Sequence, residues 1–140
     1  MKVTRFVSIV GLPVGLLVAA GACQAAPMEW GLIGPLRVEA NKSSLSGVEC
    51  PVEVEFTATL DFPKPHPRDF MIICHWERSD GVRTEDQRVR VEPGQGPMVF
   101  HDTWEIGRPG GRYKIRNALI VDSGKNHLGE ASPIVTITCK

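Results

Sequence analysis

GVECPVEVEFTATLDF, residues 47–62, alternates without a fault: every even position from Val48 to Phe62 is apolar, and one of them is Cys50. A period of two marks a strand with one buried and one solvated face, and it extends through the rest of the chain. After residue 26 no window repeats apolar residues at helical spacing, and the alternating runs are punctuated by Gly, Pro, Asn and Asp. Seven strands are predicted: Leu36–Ala40, Val48–Phe62, Asp69–Arg78, Gln87–Val91, Met98–Ile106, Arg112–Asp122 and Ile134–Cys139. Seven short strands in about a hundred residues, joined by turns such as SDG, PGQGP and DSGKN, indicate an all-β antiparallel sandwich of two sheets.

The N-terminus points to export. Lys2 and Arg5 precede an uncharged apolar run from Phe6 to Ala22, followed by small residues, which is the layout of a secretory signal peptide over residues 1–25. The run is broken by Pro13 and is shorter than the ~20 residues a spanning helix needs. Ala20-Gly21-Ala22-Cys23 resembles a bacterial lipobox, which would tether the protein through Cys23, but the sequence favours ordinary cleavage before Ala26. The expected location is periplasmic or extracellular, with residues 26–35 as a leader and 36–140 as one domain. Without Lys2 and Arg5, 14 basic and 16 acidic side chains remain, a net charge of −2. No bulk charge directs such a chain to nucleic acid. An oxidising compartment makes its cysteines candidates for a disulfide rather than for redox catalysis.

The segment Ile106-Gly107-Arg108-Pro109-Gly110-Gly111-Arg112-Tyr113 resembles the tyrosine corner of immunoglobulin-like and fibronectin type III sandwiches, in which a tyrosine hydroxyl bonds the upstream backbone. Trp76 is placed like the core tryptophan of that superfamily. The resemblance implies a seven-stranded immunoglobulin-like fold. It implies too that the second strand begins, and the last ends, at one pole, which brings Cys50 and Cys139 together as a disulfide. Ile115 stands two residues after Tyr113, so the inter-sheet disulfide of antibody domains is absent. Cys74 is then left over. Its expected state is a buried, unreactive thiol, with pairing to Cys50 or Cys23, or a functional role, as the alternatives.

The motifs of catalysis are missing. No HExxH, GxSxG, EF-hand loop or glycine-rich phosphate loop occurs, and Cys74 and His75, as strand neighbours, point to opposite faces. No enzyme, cofactor or metal is therefore expected. His66, His75, His101 and His127, with Met28, Met71 and Met98, suggest a small periplasmic copper or zinc carrier as the alternative function. The leading expectation is a non-enzymatic protein-binding module of the inhibitor, immunity, adhesion or envelope-accessory type. Glu49, Glu53, Glu55 and Asp61 give one outer face an acidic character, whereas Arg78, Arg88, Arg90, Lys114 and Arg116 are expected on the other. A basic sheet face fits a protein partner with an acidic surface. Lys64, His66 and Arg68 in the proline-rich loop 62–70, beside the loop 123–132, form a second candidate at the pole opposite the disulfide.

Overall fold

The computed structural model describes residues 32–63, 66 and 68–140. The signal-peptide reading, the lipobox cysteine, Met28 and Lys64 all lie outside the described residues.

The opening stretch is interrupted where alternation alone shows no fault. Pro51 has no N–H to give to a ladder, and the pairing breaks there. The chain forms β1 (Leu36–Ala40), β2 (Ser44–Val48) and β3 (Val52–Leu60), with residues 49–51 outside any strand. It continues as β4 (Phe70–Arg78), β5 (Gln87–Val91), β6 (Met98–Ile106), β7 (Arg112–Ile115), β8 (Asn117–Asp122), β9 (His127–Ala131) and β10 (Val135–Cys139). Among the described residues ten strands therefore replace the expected seven. The sixth expected strand divides at Arg116, and β9 lies in what reads as a loop, because HLGEA carries only Leu128 as a large apolar residue.

Hydrogen bonding links the strands in the orders β1-β3-β6, β2-β10-β7 and β5-β4-β8-β9. The last two are halves of one layer, since β7 continues into β8 and β9 into β10. Ala118 faces Ala131 in one half, and Ile115 faces Val135 in the other. The pairing thus shifts by one residue between them. Ser132 stays joined to Asn117 through its N–H, and Pro133 and Ile134 together oppose Arg116 as a bulge. All pairs are antiparallel except β2 with β10, which is parallel and corrects the purely antiparallel expectation.

Inward side chains of both layers form one core, with Val54, Phe56, Ala58 and Leu60 from β3 against Ile72, Cys74, Leu119, Val121 and Ile137. This is a β-sandwich. Trp76 is buried in it, as expected. Its lower pole is closed covalently: Cys50 and Cys139 form a disulfide with Cα atoms 5.7 Å apart. Gly107 lies against that bond with φ +107°, and a Cβ there would stand 2.9 Å from Cys50 Sγ and 3.0 Å from Cys139 Sγ. Only glycine combines that backbone with that approach. The neighbouring Arg108 N–H donates to Tyr113 Oη at 3.0 Å, a bond from the tyrosine hydroxyl to the upstream backbone of the kind that the resemblance implies.

The disulfide closes a loop across a separation of 89 residues. In the chain-entropy account such a loop stabilises by about 4.5 kcal/mol. The paired substitution Cys50→Ala, Cys139→Ala is therefore expected to lower the unfolding free energy by roughly 3–5 kcal/mol, measured by denaturant titration of the oxidised protein and the variant. Gly107→Ala should destabilise by ~1–3 kcal/mol in the oxidised protein, because the new methyl and the bond cannot both keep their places.

Candidate protein-binding surface

Strand parity decides where each expected cation goes, and it divides the set. Phe70, Ile72, Cys74 and Trp76 point inward from β4, so Arg78, at the next even position, points inward too. Its Nε and Nη2 donate to Asp102 Oδ2 and Oδ1, both at 3.1 Å, and Nη2 also reaches the Thr103 carbonyl at 3.2 Å. The guanidinium lies over the Trp104 ring, 5.3 Å from its centroid. Asn117 Nδ2 donates to the same Asp102 Oδ2 at 2.7 Å, so one carboxylate joins β4, β6 and β8 across the layers. Arg78 is a structural clamp between the sheets and not a member of an outer face.

Arg88 and Arg90 do stand on the outer side of β5. Arg90 is paired with Asp69 at 2.6 Å, while Arg88 has no ion-pair partner among the described residues. Around them the face is mixed rather than basic. His75 is nearly buried, with Nε2 2.8 Å from Glu77 and Nδ1 3.3 Å from Asp86, and Arg83 holds Asp86 at 2.7 Å. Ile73, Ile120, Asp122 and His127 complete a shallow cleft of about 320 Å³ with His75, Arg83 and Asp86. Carboxylates supplied by the loops thus compensate Arg83 and Arg90 on this face, with Arg88 left between them.

The other half of the layer is different. Tyr113 and Ile115 face the core, so Arg112, Lys114 and Arg116 follow one another on the outer side at alternate positions. None of the three has an ion-pair partner among the described residues. Pairing places Lys114 beside Thr136 and Arg112 beside Thr138, and these stand beside Ser44 and Ser46 of β2. The outer positions of β2, β10 and β7 therefore carry hydroxyls and cations and no acid. Arg112, the first residue of the expected strand Arg112–Asp122, belongs to this row.

The opposite layer is acidic, as read. Glu39, Glu53, Glu55 and Glu105 are exposed on the outer side of β1, β3 and β6, and Glu53 faces Glu105 across the ladder. Asp61 is set apart by Arg37 at 4.0 Å.

At the upper pole, Pro63 shares a groove of about 480 Å³ with Ile33, Gly34, Pro35, Leu128 and Gly129, so loop 62–70 and the β8–β9 hairpin do meet. Arg68 is exposed there. His66, expected to contact a partner, is buried instead, edge-on between Phe62 at 5.3 Å and Phe70 at 4.7 Å. Neither ring nitrogen has a hydrogen-bond partner among the described residues. Burial holds its pKa below the ordinary imidazole value, since a charged ring would lose its hydration in that setting.

The remaining titratable groups offer little chemistry. Cys74 is a free, buried thiol whose pKa is pushed up to about 11, first by burial and then by the charge of Asp86. His75 lies on β4 and His101 on β6, in different layers, with His101 Nδ1 3.3 Å from Thr57 Oγ1. Among the described residues no three His, Cys, Asp or Glu side chains are grouped so as to hold a metal ion.

The chain matches no protein-family model and no curated protein. Among solved structures it is similar to a CARDB domain from Pyrococcus furiosus, crystallised in complex with di-metal ions, with a TM-score of 0.45 and 13% identity over 76% of this chain and 88% of that one. The likeness is too slight to transfer a ligand or an activity.

Two outcomes follow from this geometry. Asp102→Ala leaves Arg78 as an unpaired, largely buried charge and should cost about 3–5 kcal/mol in denaturant unfolding, with the paired change Arg78→Met, Asp102→Ala recovering part of the loss. His66 has a folded-state pKa below its unfolded one, so on acidification the unfolded chain takes the proton first. The stability it contributes is complete above the unfolded value of about 6.5 and is lost as pH falls through the folded value. Thermal midpoints recorded from about pH 7.5 down to about 5 should fall less steeply for His66→Leu than for the parent protein.

Proposed function

We propose that this protein is an exported, non-enzymatic binding module with an immunoglobulin-like fold, and that it holds an acidic protein partner on the outer side of β7. The observation that supports the reading is the row Arg112, Lys114 and Arg116, three cations without an ion-pair partner among the described residues, on a face whose outer strand positions carry no acid. Other arginines of this chain meet carboxylates of their own: Arg78 meets Asp102, Arg83 meets Asp86, and Arg90 meets Asp69. A positive row left uncompensated beside hydroxyl donors keeps its field for another molecule. It steers encounter and sets specificity more than it sets affinity. The tyrosine-corner bond and the buried Trp76 favour the immunoglobulin-like assignment, and the disulfide favours an oxidising compartment outside the cytoplasm.

The same geometry moves the site away from part of the expected set. Arg78 is engaged inside, His66 is covered, and Arg88 stands on a face whose loops supply compensating acid. Lys114 and Arg116 remain and gain Arg112.

The double reversal Lys114→Glu, Arg116→Glu should abolish retention of the acidic partner by the immobilised, oxidised protein, whereas Arg88→Glu should leave it within about twofold. Retention is read by quantitative mass spectrometry of what each form holds from the exported fraction of its own host. Equal retention by the Lys114 and Arg116 reversal would move the site off this face. In the parent protein the interaction should weaken several-fold between about 50 and about 300 mM salt, since exposed charges are screened.

A further inference from the structure

We propose that the acidic partner is held as an added strand, an extended segment with carboxylates at alternate positions that pairs with the free edge of β7. The inference rests on the reading of Arg112, Lys114 and Arg116 as the binding row.

The layer has a vacancy beside β7. β4 is the neighbour of β8 from Asp122 as far as Asn117, which faces Arg78. One further exchange follows, from Ser79 N–H to the Arg116 carbonyl at 3.0 Å and from Arg116 N–H to Ser79 Oγ at 3.0 Å. There β4 ends in a tight turn, with Gly81 N–H on the Arg78 carbonyl and Arg78 N–H on the Val82 carbonyl, and the chain folds back along its own strand. Among the described residues no strand takes its place alongside residues 112–115, because β7 pairs there with β10 alone.

The direction of the backbone groups there follows from alternation. Arg116 turns its N–H and C=O to the β4 side, and the Gly111 carbonyl turns to the β10 side, where it accepts Cys139 N–H at 2.9 Å. In an antiparallel ladder successive residues alternate, so Tyr113 and Ile115 bond β10 while Arg112 and Lys114 present their N–H and C=O to the vacant side. Both residues are exposed. The edge therefore offers two backbone donors and two backbone acceptors in register with two cations, and Arg116 continues the row.

Strand addition converts this edge into recognition. An incoming extended segment sets its alternate side chains about 6.6–6.8 Å apart, the spacing of Arg112, Lys114 and Arg116 on their own strand. Carboxylates on its outer side would each meet one cation. A basic segment would be repelled, and a second copy of β7 would bring cation against cation. The charges that guard this edge against indiscriminate pairing thus select an acidic strand.

The probe is a short capped peptide alternating glutamate and threonine, titrated into the intact, oxidised, isotope-labelled protein. Three controls accompany it: an isomer with its glutamates in one block, and two forms N-methylated at alternate amides, one on each edge of the extended peptide. Saturable amide shifts confined to residues 112–116 and slowed hydrogen exchange at Arg112 and Lys114 are expected. Methylation of one peptide edge, but not of the other, should weaken binding roughly tenfold, the worth of one or two backbone hydrogen bonds. Lys114→Pro removes an edge N–H without touching the β10 ladder and should abolish binding, whereas Lys114→Ala, which keeps the N–H, should reduce it only a few-fold. Equal binding by both methylated forms and the blocked isomer would overturn strand addition while leaving the function reading intact, provided the Lys114 and Arg116 reversal still abolishes partner retention. No binding of the alternating peptide, shifts on another face, or a dimer at this edge in sedimentation would also overturn it.

Discussion

The largely buried guanidinium of Arg78 is the constraint on which the rest of the molecule depends. A charge taken out of water must be compensated where it lies, and Asp102 does this from the opposite layer. The pair fixes which residue of β4 stands over which residue of β6, and Asn117 adds β8 to the same carboxylate. Hydrophobic packing alone would tolerate some sliding of one apolar face over another, whereas a bidentate contact has one register. Arg78 also donates to the Thr103 carbonyl, which occupies an acceptor of β6. The clamp sits on the last residue of β4, and directly after it the chain turns back through Asp80, whose Oδ1 accepts the Val82 N–H at 2.9 Å, and Gly81 at φ +95°. The open place beside β7 begins where this turn takes the chain away.

Much of this was legible in the sequence, and the failures have physical causes. β1 and β6 are bounded as read because their alternation begins and ends at Pro, Asn or Gly, and β5 because it runs between Asp86 and the Glu92-Pro93 turn. The long strand at residues 48–62 was divided by Pro51, whose missing N–H does not alter polarity and so leaves the pattern whole. β9 escaped notice because an edge strand with one large apolar residue needs its partner β8 to declare it. Arg78 was placed on the outer face although it shares the parity of Trp76. Asp102 shares the parity of Phe100 and Trp104 in the same way. Two opposite charges at inward positions of two strands were the available signal for a buried pair. It is seen only when parity is followed through charged residues as strictly as through apolar ones.

The surface charges show the complementary lesson. Strand positions were read correctly as outward for Arg88, Arg90, Lys114 and Arg116, yet only part of that set remains uncompensated. Asp69 and Asp86 come from segments outside the ladders, where no periodicity says which strand they will lie against. The acidic layer was more readable because its carboxylates belong to paired strands: Glu53 and Glu105 oppose each other directly, and the loop cation Lys42 reaches the Glu53 carbonyl at 3.4 Å rather than either carboxylate. Alternation gives the face of a residue but not the company it keeps there.

The vacancy beside β7 lies at the stapled end of the sandwich, and this bears on what the disulfide does beyond stability. Cys139, whose N–H bonds the Gly111 carbonyl, is the last strand residue before Lys140, whose carbonyl accepts Gly110 N–H at 2.6 Å. Gly107 rests on the sulfurs, and Arg108 is tied to Tyr113 Oη. The turn leading into β7, and the strand that supports β7 from behind, are thus both referred to one covalent bond. An edge that must accept a strand suffers if it has first to be ordered, because that entropy is subtracted from the binding energy. Fixing the turn and the supporting strand removes that cost for residues 112–115, while the opposite edge stays free. The staple and the open edge belong to one arrangement: the bond holds β7 in place from one side so that its other side can be left unpaired.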